Sequence, residues 1–409
     1  MRARPLLTAL AAALILGPGR LAAQAGAERA RDLGIPLDGT PGPLDAITDV
    51  SGVTVGHSTI VRGSGRLVQG KGPVRTGVTV VFPRGKADLS PVFAGWFSLN
   101  GNGEMTGTAW IDDYGLLFYP IAITNTNSVG TVRDVLIEWG AERLLDALHC
   151  CLPVVAETWD GDLNDIFGFH VKKEHVYAAL SAAAGGPVAE GNVGGGTGMQ
   201  CLGFKGGIGT ASRQITAARG RFTVGALVQC NFGLRRQLRI AGIPVNQELR
   251  VPEPCYDTRE RLDSTMAPDR CTAASGERVG EAEHGSIIVV LATDAPLLPH
   301  QLKRIARRAA LGVGRMGGIA GAGSGDLFIA FSTGPTGTPD STGVARVAML
   351  SDDVIDPVYE AAVQATEEAI INAMLAARTM TGANWYRVEA LPHDGLRAVL
   401  ARHGRLVGK

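Results

Sequence analysis

The sequence predicts an α+β fold of stacked sheets and helices, and three observations carry that expectation. Runs of β-branched and apolar residues end abruptly at Gly-, Asn- and Ser-rich turns. The clearest is His284-Gly285-Ser286 running into Ile287, Ile288, Val289 and Val290. Helical-period stretches occur in both halves without a regular strand–helix–strand alternation, which argues for layers and against a doubly wound parallel sheet. The 409 residues are 45% hydrophobic and 19% charged, enough to bury a sizeable core. The 55 glycines follow no period, so they mark tight turns and close backbone approaches. A formal net charge of zero leaves no basic footprint, so no nucleic-acid partner is expected.

At the start of the chain, Arg2 and Arg4 precede an apolar stretch from 6 to 16, and Ala22-Ala23-Gln24-Ala25 follows. That is the pattern of a secretory signal peptide over residues 1–25, and it predicts a periplasmic or secreted protein. The apolar stretch is too short to cross a bilayer, so no membrane partner is expected. Residues 77–83 read as a strand. The Gly/Asn-rich block at 100–108 reads as a loop. Residues 120–123 are a short apolar run, and Thr124 to Ser128 are placed to cap a helix over about residues 129–149.

Residues 152–156 form the next strand, which delivers Glu157, Thr158 and Trp159 to its C-terminal end. A carboxylate beside an aromatic there is a candidate binding pair. Residues 175–184 read as a helix. Residues 191–198 read as a Gly-rich turn with close packing, because no lysine or acid follows at the spacing of a nucleotide motif. Residues 222–229 are a strand carrying Asn231 at its end, a candidate amide donor to an oxyanion. Residues 234–284 are charged and aperiodic, and read as a surface insertion ending at Gly285-Ser286. Residues 296–312 predict an amphipathic helix with Leu302, Ile305 and Ala309 on its buried face. Residues 321–326 open a further strand at 327–331. Helices are expected at about 356–380 and 395–402.

Six cysteines contain no Cys-x-x-Cys pair and eight histidines form no ligand cluster, so no metal or other cofactor is expected. Cys255 and Cys271 flank a charged, proline-containing stretch and are placed to close a loop disulfide. Cys150, Cys151, Cys201 and Cys230 read as small buried hydrophobes. Gly312 to Gly317 match G-x-G-x-x-G but follow a helix instead of a strand, and no G-x-S-x-G elbow exists. A cut between Gly285 and Ser286 would give Ser286 a hydroxyl nucleophile and its own α-amine as base. Gly323-Ser324 precedes an apolar strand in the same way, so the residues alone leave two candidate serines.

Taken together, several blocks resemble one family in order and over nearly all of the mature chain. They include Asn-Gly-Asn-Gly-Glu-Met-Thr-Gly at 100–107, Ile-Thr-Asn-Thr at 123–126, Pro-Val-Val-Ala-Glu-Thr at 153–158 and Lys-Gly-Gly-Ile-Gly-Thr at 205–210. Val-Gln-Cys-Asn at 228–231, Gly-Ser-Ile-Ile at 285–288, Ala-Thr-Asp-Ala-Pro-Leu at 292–297 and Ser-Gly-Asp at 324–326 complete the pattern. The family is the DmpA-type group of L-aminopeptidase/D-esterases and β-peptidyl aminopeptidases.

The resemblance implies a four-layered αββα sandwich, similar to N-terminal-nucleophile hydrolases but differently connected. It also implies one catalytic domain that cleaves itself at Gly285-Ser286. The products would be an α chain, 26–285, and a β chain, 286–409, assembled as a tetramer of αβ units. It assigns Ser286 as the nucleophile, Ser324 and Asp326 as its orienting and proton-relaying partners, and Asn231 as an oxyanion donor. Glu157 is assigned to the substrate ammonium. The implied partners are short peptides, or amino-acid amides and esters, with a free N-terminal amine. Two departures stand out. Many members carry Glu where this chain has Asp326, and DmpA has Tyr where this chain has Trp159. Trp159 tilts the expected substrates toward β-peptides. The rival readings are an amine acyltransferase of similar fold and a non-enzymatic periplasmic small-molecule binder.

Overall fold

The central strands are buried along their whole length, so successive residues meet opposite layers and both faces of each strand are covered. A computed structural model describes residues 28–143, 152–218, 220–260, 270–271, 283–337 and 342–407. The expected signal peptide, Cys150, Cys151 and the far end of the helix expected at 129–149 lie outside the described residues. In chain order the first half contains β1 (Thr54–Arg62), β2 (Val74–Phe82), β3 (Val92–Ser98), α1 (Thr108–Tyr114), β4 (Leu116–Leu117), β5 (Ile121–Asn125), α2 (Val129–Ala141), β6 (Val155–Thr158) and α3 (Lys173–Ala182). A small hairpin follows, β7 (Gln200–Cys201) and β8 (Phe204–Lys205), then β9 (Gly207–Ala217), β10 (Gly220–Asn231) and β11 (Cys255–Tyr256). The last part contains β12 (His284–Thr293), α4 (Pro299–Arg315), β13 (Gly323–Ser324), β14 (Leu327–Ser332), α5 (Asp356–Ala376), β15 (Met380–Thr381), β16 (Tyr386–Val388) and α6 (His393–Arg402).

One sheet has the order β1-β2-β5-β6, and a larger mixed sheet has the order β4-β3-β14-β12-β10-β9 with β13 beside β12. Side chains alternate across a strand. In β12, Ile288, Val290 and Ala292 therefore point into a core shared with Val81, Ile121, Ile123 and Ala156 of the smaller sheet. Ile287, Val289 and Leu291 point the other way, onto Leu302, Ile305 and Ala309 of α4 and onto α5. The smaller sheet packs its outer face on α2 and α3 through Val78, Val80, Val132, Leu136, Val176 and Leu180. The layers are thus α2/α3, sheet, sheet, α4/α5, which is the αββα sandwich expected from the resemblance.

Several expectations need correction. α2 ends at Ala141, and Ser128 gives it no side-chain cap. The Thr126 hydroxyl instead donates to the Glu157 carboxylate. The strand expected at 152–156 runs from Val155 to Thr158, so Glu157 is part of β6. The stretch 234–284 is not all surface: Leu238, Ile240 and Val245 lie in the main core, and Cys255 and Tyr256 pair with β16. Residues 261–269 and 272–282 of that stretch lie outside the described residues. Cys255 bonds Cys271 as expected. Cys201 and Cys230 are not free hydrophobes but are disulfide-bonded to each other, joining β7 to β10.

Candidate active site

The sandwich brings the ends of β6, β10 and β12 together at one edge of the layer between the sheets. Asn231 ends β10 and is paired across the antiparallel ladder with Ser286 of β12. Gly285 runs parallel to Ser324 of β13. No side chain fits at Gly285, because a Cβ there would lie 2.1 Å from the Asn231 carbonyl oxygen. Ser286 shares the parity of Ile288 and Val290, so its side chain faces the space between the sheets. It is 4% exposed.

The Gly325 N–H lies 3.2 Å from Ser286 Oγ and 3.2 Å from the Gly285 carbonyl oxygen. One donor is therefore aimed at both the hydroxyl and the carbonyl of the Gly285–Ser286 peptide. Gly325 is pinned by the Gly/Asn loop: a Cβ on it would lie 2.3 Å from the Asn102 carbonyl oxygen. Ser324 Oγ donates to Asp326 Oδ1 at 2.7 Å, and the Ile287 N–H donates to the same oxygen at 3.2 Å. Asp326 Oδ2 is buried and takes no hydrogen bond from the described residues. Burial pushes the Asp326 carboxyl up to about 6; the two donors oppose the shift and the nearby charge of Glu283 adds to it.

Glu157 is 3% exposed. Its Oε1 accepts from the Glu104 N–H at 2.9 Å and its Oε2 from Thr126. Burial raises its pKa against those two donors. A buried carboxylate facing a cleft in this state gains most from a cationic partner. Asn231 is fixed at both ends of its amide: Oδ1 accepts from the Gln200 N–H at 2.7 Å, and Nδ2 donates to the Trp159 carbonyl at 2.9 Å. Trp159 is 39% exposed and meets Phe167 edge-on, with ring centroids 6.3 Å apart.

Gly285, Ser286, Asn231, Glu157 and Trp159 all line one cleft of about 700 Å³, whose wall also includes Tyr256 and Tyr386. Ser324 and Asp326 are fully buried behind its wall. All the residues singled out from the sequence are thus gathered at one place. Sequence reasoning missed Gly325 and Gln200, which contribute backbone N–H groups that no residue type announces. It also missed Lys205, whose buried ammonium donates to the Met199 and Gly206 carbonyls at 2.7 and 2.8 Å. Burial pulls that ammonium down to about 7. The Gly-rich run at 194–198 is a packed turn, as expected: a Cβ on Gly195 would meet Gln229 Oε1 at 2.2 Å.

A family model described as Peptidase family S58 matches residues 45–388. The chain is 53% identical over 386 residues to the β-peptidyl aminopeptidase BapA of Sphingosinicella microcystinivorans, covering 94% of this chain and 95% of that one. Among solved structures it superposes on the L-aminopeptidase D-Ala-esterase/amidase of Ochrobactrum anthropi with a TM-score of 0.81 and 46% identity, covering 93% of this chain and 100% of that one. That structure is called a prototype for the serine aminopeptidases and a new variant among the Ntn hydrolase fold. A Burkholderia sp. β-aminopeptidase gives a TM-score of 0.80 at 48% identity, over 92% of this chain and 99% of that one.

Proposed function

The chain belongs to peptidase family S58, and on that premise we propose that it is a self-processing serine aminopeptidase acting on peptides with N-terminal β-amino acids. The observation that carries this reading is the single Gly325 N–H placed 3.2 Å from both Ser286 Oγ and the Gly285 carbonyl oxygen, in the cleft that holds Glu157.

In the uncut chain, Ser286 Oγ attacks the Gly285 carbonyl carbon. The C–N bond breaks, its nitrogen keeps the proton given up by the hydroxyl, and an ester remains. Water then opens the ester, leaving a Gly285 carboxylate and Ser286 with a free amine and hydroxyl. The Gly325 N–H stabilises the oxygen on which charge develops. Ser324 and Asp326 orient Ser286 from behind the cleft and carry the proton. In the mature enzyme Ser286 attacks the substrate carbonyl, with the Asn231 amide as the second oxyanion donor. Glu157 holds the substrate ammonium, which selects a free N-terminus. Trp159, which lines the cleft and meets Phe167 edge-on, flanks the bound residue. The two disulfides support export to an oxidising compartment.

Intact mass and N-terminal sequencing of the purified protein, beside Ser286→Ala, test this directly. The wild type is expected to split, with one chain beginning Ser-Ile-Ile-Val, and the variant to stay whole. An uncut wild type refutes self-processing; a chain beginning at Ser324 moves the nucleophile. Turnover of β- against α-aminoacyl p-nitroanilides then tests the substrate class, and equal or greater turnover of the α series refutes the β preference.

A further inference from the structure

We propose that Glu283 is a positioning residue for self-cleavage, clamping the segment just ahead of the Gly285–Ser286 bond; the inference rests on the self-processing reading above. Glu283 is 6% exposed although it is a carboxylate. Its Oε1 accepts from the Gly233 N–H at 3.1 Å and its Oε2 from the Gly321 N–H at 3.2 Å. These two donors belong to different parts of the fold. Gly233 lies two residues past Asn231, on the exit from β10. Gly321 opens the turn that leads into Ser324, and its carbonyl accepts from the Ser324 N–H at 2.9 Å. Gly321 also approaches Glu283 closely, since a Cβ on it would lie 2.6 Å from the Glu283 Cβ.

The carboxylate thus ties the loop after Asn231 to the loop before Ser324, and the strand residues His284 and Gly285 run through the span it closes. His284 and Gly285 are paired in parallel with Gly323 and Ser324, a register that sets the Gly285 carbonyl beside the Gly325 N–H. A one-residue slip there would carry the carbonyl away from its donor and turn Ser286 to the opposite face. Two charge-assisted hydrogen bonds to backbone N–H groups oppose that slip. Glu283 does not line the cleft, and it sits two residues ahead of the bond that is cut, so its hold on the His284–Gly285 register bears most directly on the uncut bond.

The test follows precursor decay in a cell-free translation time course of the full chain for wild type, Glu283→Gln and Glu283→Ala. Turnover of an aminoacyl p-nitroanilide is then measured per mole of cleaved enzyme. Precursor lifetime is expected to lengthen about tenfold or more in Glu283→Ala and less in Glu283→Gln, which keeps the shape and one acceptor. Turnover by the cleaved fraction is expected to fall by a clearly smaller factor than cleavage, because Glu283 still borders Asp326 and the loops around Asn231 and Ser324 in the cut enzyme while the register of the peptide bond no longer matters. If Glu283→Ala fails to fold, Glu283→Gln alone carries the comparison. Variants that cleave as fast as a cleaving wild type overturn this inference and leave the enzyme reading intact. Cleavage and turnover falling by the same factor also overturn it, because that marks general support of the site. A wild-type precursor that never decays overturns the self-processing reading and this inference with it.

Discussion

Asp326 is the residue whose environment says most about how the site would run. Its carboxyl is held at about 6 by burial, so it is neutral below that pH and anionic above it. The Ser324 hydroxyl donates to it, an arrangement that favours the anion. Self-cleavage by the full chain is therefore expected to speed up as pH rises through about 6. In Asp326→Asn that rise should disappear and the plateau rate should fall. A rate that is flat across that range in the wild type would remove the carboxylate from the step. Glu157 makes a second prediction at the same scale. Replacing it with Gln removes the charge that meets a substrate ammonium and is expected to lower kcat/KM for free-amine substrates about thirtyfold, the worth of roughly 2 kcal/mol. N-acetylated analogues, already poor, should change little; an equal loss on both would mean Glu157 supports the fold and not the amine. The family resemblance supplied the roles of Ser286, Asn231 and Glu157, which stood out in the sequence as candidates because each lies beside an apolar run. Ser286 and Ser324 were not separable that way, since both open buried strands. The structure distinguishes their surroundings: Ser286 lines the cleft, while Ser324 lies behind its wall and donates to Asp326.

The β7–β8 hairpin shows how an element holds a side chain in place. Gln200 is presented to Asn231 by a hairpin whose fastenings include the Cys201–Cys230 disulfide, the Lys205 ammonium on the Met199 and Gly206 carbonyls, and the Leu202 N–H on the Phe232 carbonyl. Replacing both cysteines with Ser is expected to lower stability by about 2–4 kcal/mol. It should also reduce kcat more than it changes KM, because the Asn231 amide loses its fixed orientation. Denaturant melts and steady-state kinetics of the double variant check both; unchanged kcat would uncouple the hairpin from the chemistry. The same region shows why some elements were hidden from sequence. β9 reads locally as Gly-Ile-Gly-Thr-Ala-Ser-Arg, a turn-like composition. Its glycine is required by tertiary packing: a Cβ on Gly209 would lie 2.0 Å from the Ala369 carbonyl oxygen of α5. Its Arg213 is buried against Glu368 of the same helix, with a contact of 2.6 Å. A strand whose residues answer to a helix far along the chain carries no period of its own. β12 and β14 were plain because both of their faces are apolar.

At the scale of the whole molecule, the position of the scissile bond decides what cutting it does. Cleavage at Gly285–Ser286 would make two chains, yet the larger sheet does not divide at that point. β12 and β14 come from the part after the cut and lie between β3 and β10, which come from the part before it. Among the described residues, every strand neighbour of this central pair, apart from each other and the short β13, therefore belongs to the other chain. α4 and α5, also from the later part, cover the face of the sheet that β9 and β10 help to form. The inter-sheet core joins Ile288, Val290 and Ile329 of the later part to Ile121, Ile123 and Leu227 of the earlier one. Neither chain alone has a complete core, so separation would expose apolar surface from two layers and strand edges on both sides of the central pair. The cut enzyme is expected to elute as one species in native size-exclusion chromatography and to unfold in one cooperative thermal transition. Denaturant should resolve it into two chains, and mixing with a tagged copy of the later chain should give no exchange over hours. Free chain 286–409 in native buffer would contradict this, and would mean that the ladders on either side of β12 and β14 do not hold without the peptide bond.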